Sequence, residues 1–287
     1  MAVSQDTTLL KNNLKGSVPV EISNELIKDI VGESIAFTIC KHVPMKSDTK
    51  TLPVLTDTGS AYWTEEGENI QTSVMGFDYP QLEAKKLAVI VPLTKEKLKD
   101  STLNVLEEIK EGIKDAFVRA IDSAVFFGTS SPFTNNICDV AEGNKVTVTN
   151  KFDIDISKAM GLVEDNDLSV DSIITHNGVK KILRELRDSN GNSLVLNGGA
   201  SGTQIYATPI YIPTSKVWSK EKAESLLGNF KKAVIGTRED IHYEILDQAT
   251  VGGLNLAEKD LIAVKCTMRM GFEVVSKKAF SKIVPAS

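Results

Sequence analysis

The most regular pattern in the chain is an apolar stripe that runs from residue 101 to residue 127. Seven apolar residues recur there at steps of three or four positions: Leu103, Leu106, Ile109, Ile113, Phe117, Ile121 and Val125. This spacing predicts an amphipathic α-helix, because residues three and four apart share one helix face. Asp100 or Ser101 can cap its start, and Gly128 can end it. At 1.5 Å per residue the helix is about 39 Å long, which exceeds the core of a small domain.

Two distant regions have the composition of β-strands. Residues 50–93 contain short apolar runs, a turn signal at 57–60 and a strongly β-favouring run at 89–91. Residues 229–284 return to a similar composition. We therefore expect the C-terminal strands to pair with the early ones, which makes the first domain discontinuous and leaves residues 141–228 as an insertion.

The inserted segment has a mixed α/β pattern. We expect a helix from residue 154, a buried strand at 171–175 and a second helix capped by Asn177. The glycine-rich residues 198–202 predict a loop, and residues 205–213 have the composition of a strand. Together with the regions described above, these elements predict an α+β protein.

Two segments have little apolar material with which to build a core. Residues 1–18 are polar, and a chain end of this kind is ordered only if something holds it. The two-stranded excursion within residues 50–93 has the same weakness, because an isolated hairpin is marginally stable in water. A neighbouring copy of the chain is one candidate for the surface on which these segments pack.

Composition and charge narrow the classes of protein. Of the 287 residues, 41% are hydrophobic and 25% are charged, which are ordinary values for globular proteins. The net charge of -5 argues against a sequence-specific nucleic-acid reader, which usually presents a basic surface. The strongest apolar run, residues 87–93, is far shorter than the roughly 20 residues of a membrane helix, so no membrane partner is expected. The cysteines Cys40, Cys138 and Cys266 form no CxxC pair and are expected to be reduced thiols.

No local motif indicates an enzyme. His42, His176 and His242 do not have the spacing of a metal motif. The acidic run that begins at Asp165 lacks the glycine and the glutamate of a calcium loop. GGASG at 198–202 is a near miss for a nucleophile elbow, and neither a Walker A sequence nor GxGxxG occurs. We therefore predict no catalytic residue, no cofactor and no metal, although sites that assemble from distant residues leave no such motif.

The order of the elements resembles the Hong Kong 97 fold of tailed-bacteriophage major capsid proteins. The resemblance covers nearly the whole chain and is carried by residues 18–27, 52–101, 126–133 (FFGTSSPF), 183–194 (LRELRDSNGNSL), 207–215 (ATPIYIPTS), 228–246 and 261–283. The most specific part is AYWTEEG at 61–67, together with its position before the long helix.

The resemblance implies an α+β subunit with four parts. They are an N-arm (1–18), an extended E-loop hairpin (47–86), a peripheral domain (19–46, 87–140 and 229–287) with the helix 101–127 as its spine, and an inserted axial domain (141–228). The same resemblance implies a structural protein that assembles into hexamers and pentamers of an icosahedral head. That head encloses the phage genome, so we expect non-specific DNA contact inside the virion capsid, after assembly in the host cytoplasm with a portal.

Two features depart from better-known relatives. Many of them carry a long N-terminal scaffolding segment, whereas the arm here begins at Met1, so we expect a separate scaffolding protein or none. Some relatives cross-link covalently through an E-loop lysine. This sequence has no lysine between Lys50 and Lys85, so the hairpin tip cannot supply one.

The tip of the E-loop holds the predicted subunit-contact residues Tyr62, Trp63, Glu65, Glu66 and Glu68. Trp63 is one of only two tryptophans and has few local apolar partners, and aromatic residues are favoured interface anchors. The glutamates could pair with lysines or arginines of the next subunit. They could also be paired catalytic acids, but Gly67 and the open hairpin favour a surface tip.

Two other functions are weighed against the capsid subunit. An encapsulin-type nanocompartment protein resembles the same fold but encloses a protein cargo. An unrelated α/β enzyme predicts a low-order oligomer with a concave pocket.

Overall fold

The computed structural model of the chain describes residues 33–57, 59–95, 105–149, 151–186, 196–198, 202–214 and 216–286. Five expectations lie outside these residues in whole or in part. They concern the N-arm at 1–18, residues 19–32 of the peripheral domain, the start of the long helix at 100–104, residues 187–194 of the segment LRELRDSNGNSL, and residues 199–201 of the glycine-rich segment.

The described residues form helices and runs of mostly antiparallel strands, which confirms the α+β class. The helices are α1 (Ile35–Ile39), α2 (Val105–Phe127), α3 (Ile137–Val140), α4 (Phe152–Glu164) and α5 (Val179–Glu185). The strands are β1 (Lys41–Pro44), β2 (Thr49–Thr51), β3 (Val54–Asp57), β4 (Gly76–Asp78), β5 (Gln81–Glu83), β6 (Lys85–Thr94), β7 (Lys145–Thr147), β8 (Ser172–Thr175), β9 (Leu196–Gly198), β10 (Gly202–Ile205), β11 (Thr208–Tyr211), β12 (Ser225–Gly228), β13 (Ala233–Leu246), β14 (Thr250–Val251), β15 (Leu254–Asn255), β16 (Leu261–Val274) and β17 (Phe280–Val284).

A four-stranded sheet in the order β1-β13-β16-β6 packs against the long helix α2. β16 pairs antiparallel with both β13 and β6, which confirms that the C-terminal strands return to the early ones. The predicted helix is confirmed from Val105 to Phe127. Four residues of its predicted stripe are buried in the shared core: Ile113, Phe117, Ile121 and Val125.

A seven-stranded sheet in the order β7-β17-β12-β8-β11-β10-β9 forms the second layer. Helices α4 and α5 pack on it through a separate core that includes Ile156, Ile173, Leu183 and Leu227. The final strand β17 pairs with β12 and β7 and contributes Ile283 to this core. We therefore propose that the inserted unit contains residues 280–284 in addition to 141–228.

The start of α5 corrects one expectation. Its N-cap is Gly178, not Asn177, and no side chain caps the helix. The backbone N–H of Gly178 instead donates to Nδ1 of His176 at 2.9 Å. The N–H groups of Val179 and Lys180, which a side chain at Asn177 would have capped, donate to the carbonyl oxygens of His176 and Asn177 at 3.1 and 3.2 Å.

The predicted strand at 205–213 is also corrected. A turn at Tyr206 and Ala207 divides it, with φ angles of 49° and 60°, and joins β10 to β11 as a hairpin. The glycine-rich segment before it is not a free loop at its two ends, because Gly198 of β9 pairs with Gly202 of β10.

Two glycines let the root of the hairpin between β2 and β5 lie directly on the four-stranded sheet. Gly236 of β13 and Gly271 of β16 face each other across the ladder. Leu82 of β5 is fully buried above them. A Cβ atom on Gly271 would lie only 2.6 Å from the carbonyl oxygen of Glu83, and one on Gly236 would overlap Leu82 and Met45. The two missing side chains therefore make the space in which the hairpin root sits.

A buried carboxylate in α2 holds the first helix in place. Asp122, which is 2% exposed, accepts hydrogen bonds from Ser34 Oγ at 2.6 Å and from the backbone N–H groups of Ala36 at 3.1 Å and Ile35 at 3.3 Å. These N–H groups belong to the first turn of α1, where a helix supplies no acceptor of its own. Burial raises the pKa of Asp122 above its ordinary value of 3.8, against the opposite effect of the hydrogen bonds.

The charge of Asp122 predicts how stability depends on pH. Because its folded-state pKa is raised, its contribution is complete below the unfolded value and is lost as the pH rises through the folded value. The free energy of unfolding of the wild type should therefore fall relative to that of Asp122→Asn over this window. Urea unfolding of both proteins between acidic and neutral pH measures the difference. Asp115→Asn, an exposed position of the same helix, is the control, and an unchanged difference across the window would contradict the prediction.

The space left by Gly236 and Gly271 predicts how a substitution there changes the hairpin. Gly271→Ala should push the backbone of Glu83 off the sheet and loosen the hairpin, while the rest of the subunit stays folded. Limited proteolysis should then cut between residues 51 and 80 faster than in the wild type. Gly112→Ala is the matched control, because its Cβ meets nothing within 4 Å and alanine in a helix gains about 0.5–1 kcal/mol over glycine. Equal cleavage rates in the two variants would show that the glycines do not position the hairpin.

Candidate subunit interface

Two short ladders build the hairpin, which spans residues 49–83. β2 pairs with β5 near the sheet, and β3 pairs with β4 farther out. The described residues between 59 and 75 form no strand. Two contacts close this outer part: the Ser60 N–H donates to Ser73 Oγ at 2.7 Å, and the Glu68 N–H donates to the Glu65 carbonyl oxygen at 3.2 Å. The hairpin tip, residues 59–75, is therefore held only at its base and at one turn.

The hairpin concentrates the exposed apolar surface of the described chain. Of the twelve exposed large hydrophobic side chains, eight belong to the hairpin: Leu55, Tyr62, Trp63, Ile70, Val74, Met75, Phe77 and Tyr79. Trp63 is completely exposed. Apolar side chains gathered on one extended element mark an interaction surface, because scattered single ones would need no explanation.

The predicted contact residues lie together at the tip. Tyr62, Trp63, Glu65, Glu66 and Glu68 are all exposed, and the turn that closes between Glu65 and Glu68 groups the three carboxylates. None of the three forms a salt bridge with another described residue. Their carboxylates can therefore form salt bridges with a second molecule.

Beyond Lys50 in its first strand, the charged side chains of the hairpin are all acidic. Residues 51–84 contain six acidic residues and no lysine or arginine; the acidic residues are Asp57, Glu65, Glu66, Glu68, Asp78 and Glu83. A surface that is both apolar and acidic matches a partner surface that is both apolar and basic.

A cleft of about 570 Å³ lies beside the base of the hairpin, between β6, α2 and the loop that follows α2. Its apolar lining includes Leu87, Ile121, Ala124, Phe133 and Met270. Its cationic groups are Lys85, Lys86, Arg119 and Lys216, and no acidic side chain lines it among the residues the structure describes. We call it the basic cleft.

Two of the four cationic groups of the basic cleft have partners within the chain. Lys85 pairs with Glu83 at 2.6 Å, and Arg119 pairs with Asp115 on the same helix. Lys86 and Lys216 form no salt bridge in the described part of the chain. Lys86 alternates with the core-facing Leu87 and lies opposite Arg269, so its side chain leaves β6 on the face of the sheet away from α2. Lys216 is therefore the cation of the cleft that has no salt bridge within the described chain.

The sequence reasoning identified the tip but missed the cleft and the other exposed side chains of the hairpin. The sequence does show Val74, Met75 and Phe77 as apolar residues in a segment without a core. It also shows that residues 51–84 contain no lysine or arginine. The cleft left no such signal, because its lining comes from four separate stretches of the chain.

The cysteines and His176, which were considered for redox or metal chemistry, are buried in the fold. Cys40, Cys138 and Cys266 are free thiols in the core, and burial raises the pKa of Cys266 to about 11. Buried His176 donates through Nε2 to Glu224 at 2.5 Å, because its Nδ1 is the acceptor for Gly178. Over the described residues, no group of three or more His, Cys, Asp or Glu side chains is placed to hold a metal ion. The described helices also include none long and apolar enough to cross a membrane.

Comparison with known proteins agrees with this geometry. The model of the family described as "Phage capsid family" matches residues 16–284. The chain is 26% identical to the major capsid protein of Staphylococcus phage 80alpha, over 98% of this chain and 89% of that protein.

Solved structures share the fold. One from Microbacterium phage Oxtober96 has a TM-score of 0.78 at 28% identity and covers 88% of this chain and 91% of its own. One from Mycobacterium phage Bobi has a TM-score of 0.74 at 27% identity, with coverage of 88% and 91%. These neighbours show the Hong Kong 97-like fold expected above. With its fold matched and residues 16–284 covered by the family model, the chain belongs to the phage capsid family.

Proposed function

We propose that this chain is the major shell subunit of a tailed-phage head, assembling through hexamers and pentamers into an icosahedral capsid around the genome. The observation that carries the proposal is the hairpin. Eight of the twelve exposed large hydrophobic side chains lie on it, and none of them is covered by the described part of the chain.

Assembly into rings follows from the asymmetry of the subunit. The hairpin tip and the surfaces beside its base are different patches, so a contact between them is heterologous. Heterologous contacts close into rings when the rotation closes, and hexamers and pentamers are rings of this kind. The family membership supports the same proposal, because shell proteins act only as many copies.

The remaining parts of the subunit are proposed from their place in the fold. The four-stranded sheet with the spine helix α2 forms the peripheral domain, and the seven-stranded sheet forms the axial domain near the symmetry axes. The net charge of -5 is suited to containing DNA without binding its sequence. We further propose that the protein has no catalytic activity and assembles in the host cytoplasm, with a separate scaffolding protein and a portal.

The encapsulin alternative is not favoured, because the curated relative and the solved structures named above come from phages. The two functions differ in what the shell contains. Electron microscopy of the purified protein should show capsomers or icosahedral shells, and particles from infected cells should contain DNA and a portal vertex. A stable low-order oligomer would contradict shell formation, and protein cargo without DNA would favour a nanocompartment.

The two tryptophans of the chain give a matched test of the hairpin. Trp63→Ala should leave the thermal melt of the monomer nearly unchanged, because the side chain is fully exposed within the described chain, and should reduce the yield of assembled particles. Trp218→Ala should instead destabilise the subunit by about 3–5 kcal/mol, since Trp218 is buried against Phe127 and donates to the Ala223 carbonyl oxygen at 2.7 Å. Normal assembly of Trp63→Ala would remove this residue from the interface.

A further inference from the structure

We infer that four lysines at the junction of the two sheets bind the phosphate backbone of double-stranded DNA on the inner surface of the shell. We call them the lysine platform; they are Lys231, Lys232, Lys277 and Lys278. The inference rests on the proposed function, which encloses the genome in the shell. It goes further, because it names the surface of the subunit that faces the DNA.

Two short turns with the same sequence build the platform. The tripeptide Lys-Lys-Ala occurs at 231–233 and again at 277–279. The first lysine pair lies in the 3₁₀ turn Phe230–Lys232 between β12 and β13, and the second in the 3₁₀ turn Lys277–Ala279 between β16 and β17. In each tripeptide the alanine is fully buried and both lysines are exposed. The repeated sequence therefore places two cations at the surface twice.

Backbone hydrogen bonds hold the two turns side by side. Both turns lie where the chain crosses between the four-stranded and the seven-stranded sheet, and the two crossings run in opposite directions. The Val275 N–H donates to the Lys232 carbonyl oxygen at 2.8 Å, and the Asn229 N–H donates to the Ala279 carbonyl oxygen at 2.9 Å. The turns are therefore neighbours in space although they are far apart in the chain.

The packing beneath the turns determines the side on which the lysines project. The rings of Phe230 and Phe280 are fully buried and meet edge to face, with their centroids 5.4 Å apart. These rings belong to the same core as Ala233 and Ala279. The exposed lysines therefore project from the other side of the junction, into solvent, and four like charges share one surface.

The charge of the platform is not neutralised within the described chain. None of the four lysines forms a salt bridge with another described residue. Two carboxylates near the junction have other partners: Asp171 accepts from the Phe230 N–H at 3.1 Å, and Glu273 accepts from Asn135 Nδ2 at 2.7 Å. The whole chain has a net charge of -5, so the platform does not reflect a general excess of lysine. Its four charges repel one another, and a bound polyanion would compensate them.

The composition of the platform favours a nucleic-acid backbone over a protein as the partner. Among the described residues, none of the exposed large hydrophobic side chains lies at 229–233 or 275–280. Protein interfaces are enriched in aromatic residues and depleted of lysine, a description that fits the hairpin with Trp63 and not the platform. Lysine is a point charge on a flexible stem, so it can meet phosphates without a fixed geometry. Contacts of this kind carry no base information, so the binding is independent of sequence.

Two variants with the same charge test the platform. The platform variant is Lys231→Gln, Lys232→Gln, Lys277→Gln and Lys278→Gln. The control replaces four exposed lysines that lie in four separate segments and form no salt bridge in the described chain: Lys46→Gln, Lys151→Gln, Lys220→Gln and Lys259→Gln. Because both variants lose the same charge, a difference between them depends on where the lysines are.

Fluorescence anisotropy measures the binding of each full-length, unassembled protein to a labelled DNA duplex of about 20 base pairs, at about 50 and 200 mM salt. The thermal melt and the yield of shells are measured on the same preparations. The affinity of the wild type should fall about 150-fold over this salt range, because the logarithmic slope is about -0.9 for each of four phosphates. The control should bind within about threefold of the wild type. Two duplexes of unrelated sequence should bind equally well.

The platform variant should lose about tenfold or more in DNA affinity at the lower salt concentration, together with most of its salt dependence. Its melt and its shell yield should match those of the control, because the four lysines are exposed. Equal DNA affinity of the two variants would overturn the inference, and so would a wild type that does not bind the duplex. Loss of shells with DNA binding intact would also overturn it, because the lysines would then contact a protein. A wild type that forms no shells would instead refute the proposed function, and the shell yield reports this separately from DNA binding.

Discussion

The direction of the hairpin depends on one close contact, the packing of Leu82 over the paired glycines Gly236 and Gly271. Backbone and side chain approach the sheet there more closely than any residue with a Cβ would allow. Met45 and Val234 complete a small core around Leu82. A hairpin without a core of its own is marginal in water, so this root decides whether the tip has a defined position. The contact that we propose between the tip and a second subunit therefore depends on the packing of Leu82 at the other end of the hairpin.

The long helix connects this root to the rest of the molecule. One of its faces packs under the four-stranded sheet, and Asp122 on the same helix caps α1. At its end, the Phe127 carbonyl oxygen accepts a hydrogen bond from Lys222 Nζ at 3.1 Å, and Trp218 packs edge-on against the Phe127 ring. Lys222 and Trp218 belong to the segment that leads into β12 of the second sheet. The helix is therefore the element through which the two sheets and the first helix keep a fixed relation.

Elements with a repeating pattern in the sequence could be predicted, whereas contacts between residues far apart in the chain could not. The stripe of α2 is visible because one face of a helix packs on a sheet over many turns, and the closing strands are visible because β-branched residues cluster in them. Leu82 reads as a single apolar residue among polar ones, and nothing local shows that two glycines far along the chain will receive it. The N-cap at Asn177 was wrong because the N–H groups of Val179 and Lys180, which its side chain would have capped, bond to backbone carbonyl oxygens instead. The last strand, β17, crosses to the second sheet, and pattern alone does not say which sheet a strand joins.

For the candidate interface too, only the part with a local sequence signal could be predicted. Trp63 and its glutamates could be identified because they break local rules: an exposed aromatic residue and unpaired charges on a segment without a core. The basic cleft could not be identified in this way, because its lining comes from separate stretches of the chain that only the fold brings together. The hairpin costs the isolated subunit stability, because its apolar side chains are left in water. We propose that association covers this apolar surface, and its removal from water favours the assembled state over the monomer. The stability that the monomer lacks at these positions is therefore part of the driving force for assembly, and it is repeated at every copy of the contact.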